Sequence, residues 1–106
     1  MRPTDSAGIT GSTVLDRDGD RVGTATDVIY DDSDLQPRWL VVRYGTLRHH
    51  HTAIPFDRLY VTEEGEVALE PDRDTIMHAP RVGKGAPLTA DEVSSLEAYF
   101  HSTNAR

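Results

Sequence analysis

From Ser12 onward the chain alternates short apolar runs with turn-forming residues, the pattern of an all-β domain. TVLD (13–16) predicts a first strand, and RDGD (17–20) a tight hairpin turn. Its Asp18-Gly19 pair suits that turn, because glycine takes the positive φ it needs. RVGTATDVIYD (21–31) follows as a second strand, with Val22, Val28 and Tyr30 on one side and Ala25 and Ile29 on the other. Gly23 interrupts it, which predicts a bulge or the close approach of another backbone. Beyond the polar connection DDSDLQP (31–37), RWLVVRYG (38–45) is apolar on both faces. A central strand covered on each side fits that pattern.

RHHHTAI (48–54), FDRLYVT (56–62) and VALE (67–70) predict three more strands, divided by Pro55 and by the glycine turn EEGE (63–66). DRDTIMHAP (72–80) fits either one helical turn or a last extended segment. Six short strands close best as a small barrel or a strongly curled sheet, because closure removes exposed edges. That domain is expected over residues 12–82. Residues 1–11 carry Pro3, Gly8 and Gly11 with little apolar content, predicting a flexible arm.

A Gly/Pro linker over 83–88 then leads to LTADEVSSLEAYFHS. Thr89 is placed to cap a helix, and Glu92, three residues on, completes a capping box. Leu88 and Val93 occupy the two positions of a hydrophobic staple. Val93, Leu96 and Phe100 recur at helical spacing with Tyr99 beside them, predicting an amphipathic helix over 89–101 and a flexible tail over 102–106. A helix of about 12 residues is marginal alone in water, so it must dock on its own barrel or on another chain.

Charge and composition narrow the function. The 106 residues suit one domain. Eighteen acidic against eleven basic side chains leave a formal charge of −7, which repels nucleic-acid phosphates and anionic membranes and attracts basic partners. Nucleic acid is therefore not expected as a direct ligand. The absence of cysteine excludes disulfides, thiolate metal sites and cysteine nucleophiles. MRPTDSAGIT lacks the apolar core of a signal peptide, and the longest apolar run, WLVV (39–42), is far too short to span a bilayer. A cytoplasmic location without direct membrane insertion is expected.

The candidate chemistry centres on His49-His50-His51. On a strand, His49 and His51 share one face and His50 points to the other. Two imidazoles at that spacing can hold one zinc, copper or nickel ion, but a stable zinc site takes three or four protein ligands. His78, His101, Asp57 or a second subunit would have to supply the rest, and nothing in the sequence places them there. No metal or other cofactor is expected, with His49 and His51 the candidate ligands should one bind. Imidazoles crowded at an interface would also resist charging together, so acidification could loosen such a contact.

DRDGD (16–20) alternates three carboxylates, yet a calcium loop of the EF-hand type continues to a bidentate Glu between helices. Here Arg21-Val22-Gly23 starts a strand, so a hairpin turn is expected. Glu63-Glu64 and the pair Asp72 and Asp74 read as surface charge beside turns rather than an acid–base pair. Ser94-Ser95 and His101 have no triad logic. No enzyme is expected. Arg38, Arg43 and Arg48 interleave with Trp39 and Tyr44, a pattern that can bind RNA by stacking and phosphate contacts. The charge of −7 stands against it, as does a lone tryptophan suited to the core.

Val14, then Asp18-Gly19, Val22-Gly23 and Asp27-Val28, followed by Leu40-Val41-Val42, Ile54-Pro55-Phe56 and Leu59, span most of residues 12–82 in order. In that order they resemble the PRC-barrel domain family, the small barrel named after the photosynthetic reaction centre. The resemblance implies a platform for binding and assembly rather than an enzyme. Such domains occur in the reaction-centre H subunit, in ribosome-maturation factors and in stand-alone prokaryotic proteins. This sequence shows neither the membrane helix of the first nor the N-terminal domain of the second, so neither role is expected. The helix after residue 88 lies outside the resemblance.

The expected molecule is thus all-β, a small PRC-type β-barrel of about six strands followed by a short C-terminal helix. Its expected work is that of a non-catalytic adaptor, assembling with itself as a homodimer or with a protein partner. Arg48 and His50 on the barrel, with Val93, Leu96 and Phe100 on the helix, are the candidate contact residues. The rival readings are a metal- or pH-responsive sensor built on the histidines and an RNA-processing accessory factor. No small-molecule ligand can be named from the sequence.

Overall fold

Two short turns organise the ends of the sheet. At Gly19 φ is +87° and at Gly65 +84°, values that favour glycine over any residue with a Cβ. The first turn closes around Asp16, whose buried carboxylate accepts the backbone N–H groups of Asp18 and Asp20, each at 2.9 Å. In the second, Thr62 N–H donates to the Glu66 carbonyl at 2.8 Å. Both turn expectations hold. The computed structural model describes residues 9–30, 33, 36–83 and 88–104.

Six strands form one sheet: β1 (Thr13–Leu15), β2 (Arg21–Tyr30), β3 (Pro37–Tyr44), β4 (His50–Pro55), β5 (Leu59–Val61) and β6 (Val67–Leu69). Their spatial order is β4-β3-β2-β1-β6-β5. All neighbours are antiparallel except β1 and β6, which run parallel with Val14 opposite Val67. The stretch at 72–80 resolves into a short helix, α1 (Arg73–Met77), capped by the Asp72 carboxylate, which accepts Thr75 N–H at 2.9 Å.

β4 and β5 lie at opposite ends of this order, yet only a 3-10 turn, Phe56–Arg58, joins them. A flat six-stranded sheet would set its outer strands about 24 Å apart, at about 4.8 Å per spacing. Three residues of 3-10 helix advance about 6 Å. The sheet must therefore roll until its two ends approach, and the molecule's nearly equal extents of 33 × 31 × 29 Å agree. Rolling is helped by register shifts in β2 between Ala25 and Asp27 and between Ile29 and Tyr30, because bulges sharpen local twist. Among the described residues no pairing joins β4 to β5, so the sheet is a strongly curled one that stops short of a closed barrel.

The core fills the roll. Leu40, Ile54, Leu69, Ile76 and Leu96 are fully buried in it, with Val14, Val42 and Val67. Trp39, Leu40, Val41 and Val42 are all buried, so both faces of β3 are covered, as its two-sided apolar sequence predicts. The flexible arm expected over 1–11 does not include 9–11. Ile9 is buried in the core and Gly11 N–H donates to the Ala25 carbonyl at 2.7 Å, tying 9–11 to the sheet, while residues 1–8 lie outside the described set. The C-terminal helix, α2 (Ala90–Asn104), runs beyond the expected end at 101. Of the expected 83–88 linker, 84–87 lie outside the described residues, as do 105–106 of the tail. Among the described residues, no helix is long and apolar enough to cross a membrane.

Gly23 meets both expectations made for it. The β1–β2 register shifts beside it, between Val14 and Leu15, and a Cβ at Gly23 would run into the Arg43 carbonyl on β3. Gly23→Ala is expected to lower the unfolding free energy by about 1–3 kcal/mol, the usual cost of overpacking. Equilibrium urea melts of the two proteins check this; coincident curves would mean that β2 and β3 can separate there without cost.

Candidate functional site

The C-terminal helix is built at its start by the capping box that Thr89 and Glu92 predict. Glu92 N–H donates to Thr89 Oγ1 at 3.1 Å, and Thr89 N–H donates to Glu92 Oε1 at 2.8 Å. The second carboxylate oxygen of Glu92 accepts Gly83 N–H at 3.2 Å, so the same side chain also ties the chain on the far side of 84–87. Leu88 and Val93, the staple pair, are half-buried against the core.

The helix docks on its own sheet. Leu96 and Phe100 are 0% and 2% exposed and belong to the same core cluster as Leu40 and Ile54. Two polar ties hold the helix in register. The Tyr99 hydroxyl donates to the Thr75 carbonyl of α1 at 2.6 Å. The Arg58 guanidinium donates to the Phe100 carbonyl at 3.1 Å and lies 3.6 Å from a Glu70 carboxylate oxygen. A cation beside the later turns of a helix also complements its dipole.

Helix and sheet do not meet along their whole length. Between them lies a groove of about 1010 Å³, bounded on one side by Trp39, Pro55 and Phe56 and on the other by Leu88, Val93 and Phe100. Its lining also carries both signs of charge, with Arg38, Arg58, Asp57 and Glu97. Tyr30, 47% exposed, completes it on the β2 side. An apolar floor inside a polar rim is the anatomy of a protein-binding surface.

The sequence-nominated residues are spread across different parts of the molecule. Val93 and Phe100 line the groove, whereas Leu96 is wholly buried. Arg48 is exposed in the bend after β3. His50 is half-buried, its ring centroid 5.7 Å from that of Tyr44. The shared strand face expected of His49 and His51 does not form. Gly45, with φ of +107°, and the bend at 46–48 delay pairing until β4 starts at His50, leaving His49 in the loop.

Among the described residues, the one group of three or more metal-ligating side chains is Asp16, Asp18 and Asp20. The hairpin already uses the Asp16 carboxylate to close itself. Trp39 and Tyr44, at 8% and 5% exposure, offer no stacking face beside Arg38, Arg43 and Arg48. Ser94 and Ser95 are exposed on α2.

Arg58 was not singled out in the sequence, nor were Trp39 and Phe56 as groove residues. Arg58 reaches a carbonyl 42 positions away, and no local pattern carries a signal for that.

The sequence matches the PRC-barrel domain family over residues 7–76, a span that takes in all six strands and leaves α2 outside. No curated protein matches the chain.

Tyr99 gives the docking of α2 a pH signature. Burial, and then the negative charge of Asp72, raise its phenol above the ordinary value of 10.0. The folded chain thus holds this proton more tightly than the unfolded one, so the associated stability is complete below about pH 10 and is lost as pH rises further. Tyr99→Phe is expected to cost about 1 kcal/mol at neutral pH through the lost hydrogen bond. It should also flatten the alkaline decline relative to the unsubstituted chain. Denaturant melts from neutral pH to about pH 11 check both effects; parallel pH curves would contradict the second.

Proposed function

This chain belongs to the PRC-barrel domain family, and from that premise we propose that it is a non-catalytic adaptor that binds protein through the groove between α2 and the rolled sheet. The observation that carries this reading is the groove itself, with aromatic and aliphatic walls and a rim of mixed charge. Domains of this family are often protein-interaction modules, which agrees with it. A cytoplasmic location belongs to the same reading.

Self-association as a homodimer is the form this binding takes. In a two-fold contact the same patch meets itself, and a rim with Arg38 beside Asp57 and Glu97 offers both signs of charge to its copy. Tyr30 supplies an amphipathic aromatic ring, a residue type enriched at interfaces. Leu96 contributes indirectly, as a buried anchor that holds the helical wall in place, while Phe100 is part of that wall. Arg48 and His50 lie outside this groove.

Ala98 tests the reading without touching the core, because it is exposed on α2 and lines the groove. Arginine is also a good helix former. Sedimentation equilibrium of the full chain is expected to give twice the chain mass, and Ala98→Arg the mass of one chain with an unchanged circular dichroism spectrum. A dimer that survives Ala98→Arg would contradict the groove as the contact. A monomeric unsubstituted chain would remove self-association and leave a different protein as the partner.

A further inference from the structure

A second cavity, of about 440 Å³, lies where the start of β2, the end of β3, the following loop and α1 come together. Its charge is opposite to that of the molecule. Arg21, Arg43, Arg73 and His49 line it, and no aspartate or glutamate does, although the chain carries 18 acidic against 11 basic side chains. The three arginines come from two strands and a helix that are far apart in sequence, so the fold creates the cluster. Among the described residues neither Arg21 nor Arg73 is held in an ion pair. Strand alternation turns Arg43 to the face opposite Tyr44, so Arg21 and Arg73 are the principal charged groups here.

Tyr44 supplies an independent observation. It lines the cavity, is only 5% exposed, and its buried hydroxyl has no hydrogen-bond partner among the described residues. A buried hydroxyl left unpaired is costly and calls for an explanation. The ring is fixed by its neighbours: His50 packs on it at 5.7 Å between centroids, and Gly23 is its register partner on β2. Thr24, Gly45 and Thr46 add further hydrogen-bonding groups to the lining.

We propose that this cavity binds the phosphate monoester group of a small molecule, with Arg21 and Arg73 as its charge partners and the Tyr44 hydroxyl donating to a phosphate oxygen. Guanidinium groups match phosphate oxygens through paired N–H donors, and several around one site suit a dianion better than a single carboxylate charge. The volume falls within the range of about 300–1,000 Å³ usual for small-molecule sites, which leaves room for more than the phosphate group. A nucleic acid would bring many phosphates against a surface of net charge −7, whereas a single phosphoester meets only the local positive field.

The test is a titration of the full chain, labelled with nitrogen-15, at constant ionic strength. Inorganic phosphate, glucose 6-phosphate, acetate and a short single-stranded oligonucleotide are added in separate arms while backbone amide shifts are followed. Saturable shifts at Gly23, Gly45 and Thr46 are expected, with glucose 6-phosphate binding at least as tightly as phosphate and acetate about tenfold weaker or worse. Arg21→Ser with Arg73→Ser should abolish saturation while leaving the rest of the spectrum in place.

Tyr44→Phe should weaken phosphate binding yet leave the ligand-free melting temperature unchanged or higher, because it removes the unpaired hydroxyl; a purely structural role would lower it. Linear, unsaturable shifts, equal binding by the double arginine variant, or acetate as tight as phosphate would overturn the proposal. The oligonucleotide binding more tightly than glucose 6-phosphate would overturn its small-molecule source.

Discussion

The passage from β4 to β5 in three residues is the constraint on which the rest of the structure depends. It brings together the two ends of a six-stranded sheet that would otherwise stand far apart, and the roll follows from chain connectivity before any packing is considered. The bulged, ten-residue β2 can follow that curvature, and Gly23 lets β3 come close to it. The roll then creates an enclosed volume, which the apolar faces of β1, β3, β4 and β6 fill. Because the sheet stops short of closing, β4 keeps an edge to be covered. The segment after α1 covers part of it: Thr52 bridges to Arg81, and Val82 N–H donates to the His51 carbonyl at 2.8 Å.

α2 completes the same work outside the span that matches the family. In sequence, its apolar stripe requires docking either on its own barrel or on another chain. In the fold, Leu96 and Phe100 are committed to the chain's own core, and Tyr99 and Arg58 fix the helix to α1 and to the β4–β5 connection. Arg58 sits in the very turn that forces the roll, so the element that shapes the sheet also anchors the helix lying against it. Where helix and sheet diverge, a groove with an apolar floor is left. The site is thus a product of incomplete closure.

Much of this was legible in the sequence because it is local. Asp18-Gly19 and Glu64-Gly65 announce turns through the φ that glycine allows, Thr89 and Glu92 announce a helix start, and the two-sided apolar run at 39–42 announces a covered strand. What was hidden depends on contacts distant along the chain. Ile9 reads as part of a loose arm until the position of β2 is known. The histidine triplet reads as a strand face, yet the bend that starts at Gly45 puts His49 in a loop and His50 against Tyr44. Neither the parallel β1–β6 pairing nor the placing of Arg21 and Arg73 at one cavity leaves a periodic trace, since each joins segments that share no local pattern.

The central claim is that α2 is a permanent wall of the domain, docked on its own sheet through Leu96 and Phe100, and that the proposed contact uses the groove between that wall and the sheet. Native-state hydrogen exchange of the full chain, resolved by residue, tests it most directly. If the claim holds, the amides at 96–100 open only with global unfolding and share the protection of β2 and β3. If those amides instead exchange through a separate opening of much lower free energy, the helix is detachable. Leu96 and Phe100 would then be available to a partner, and the groove would be a transient feature of the closed form.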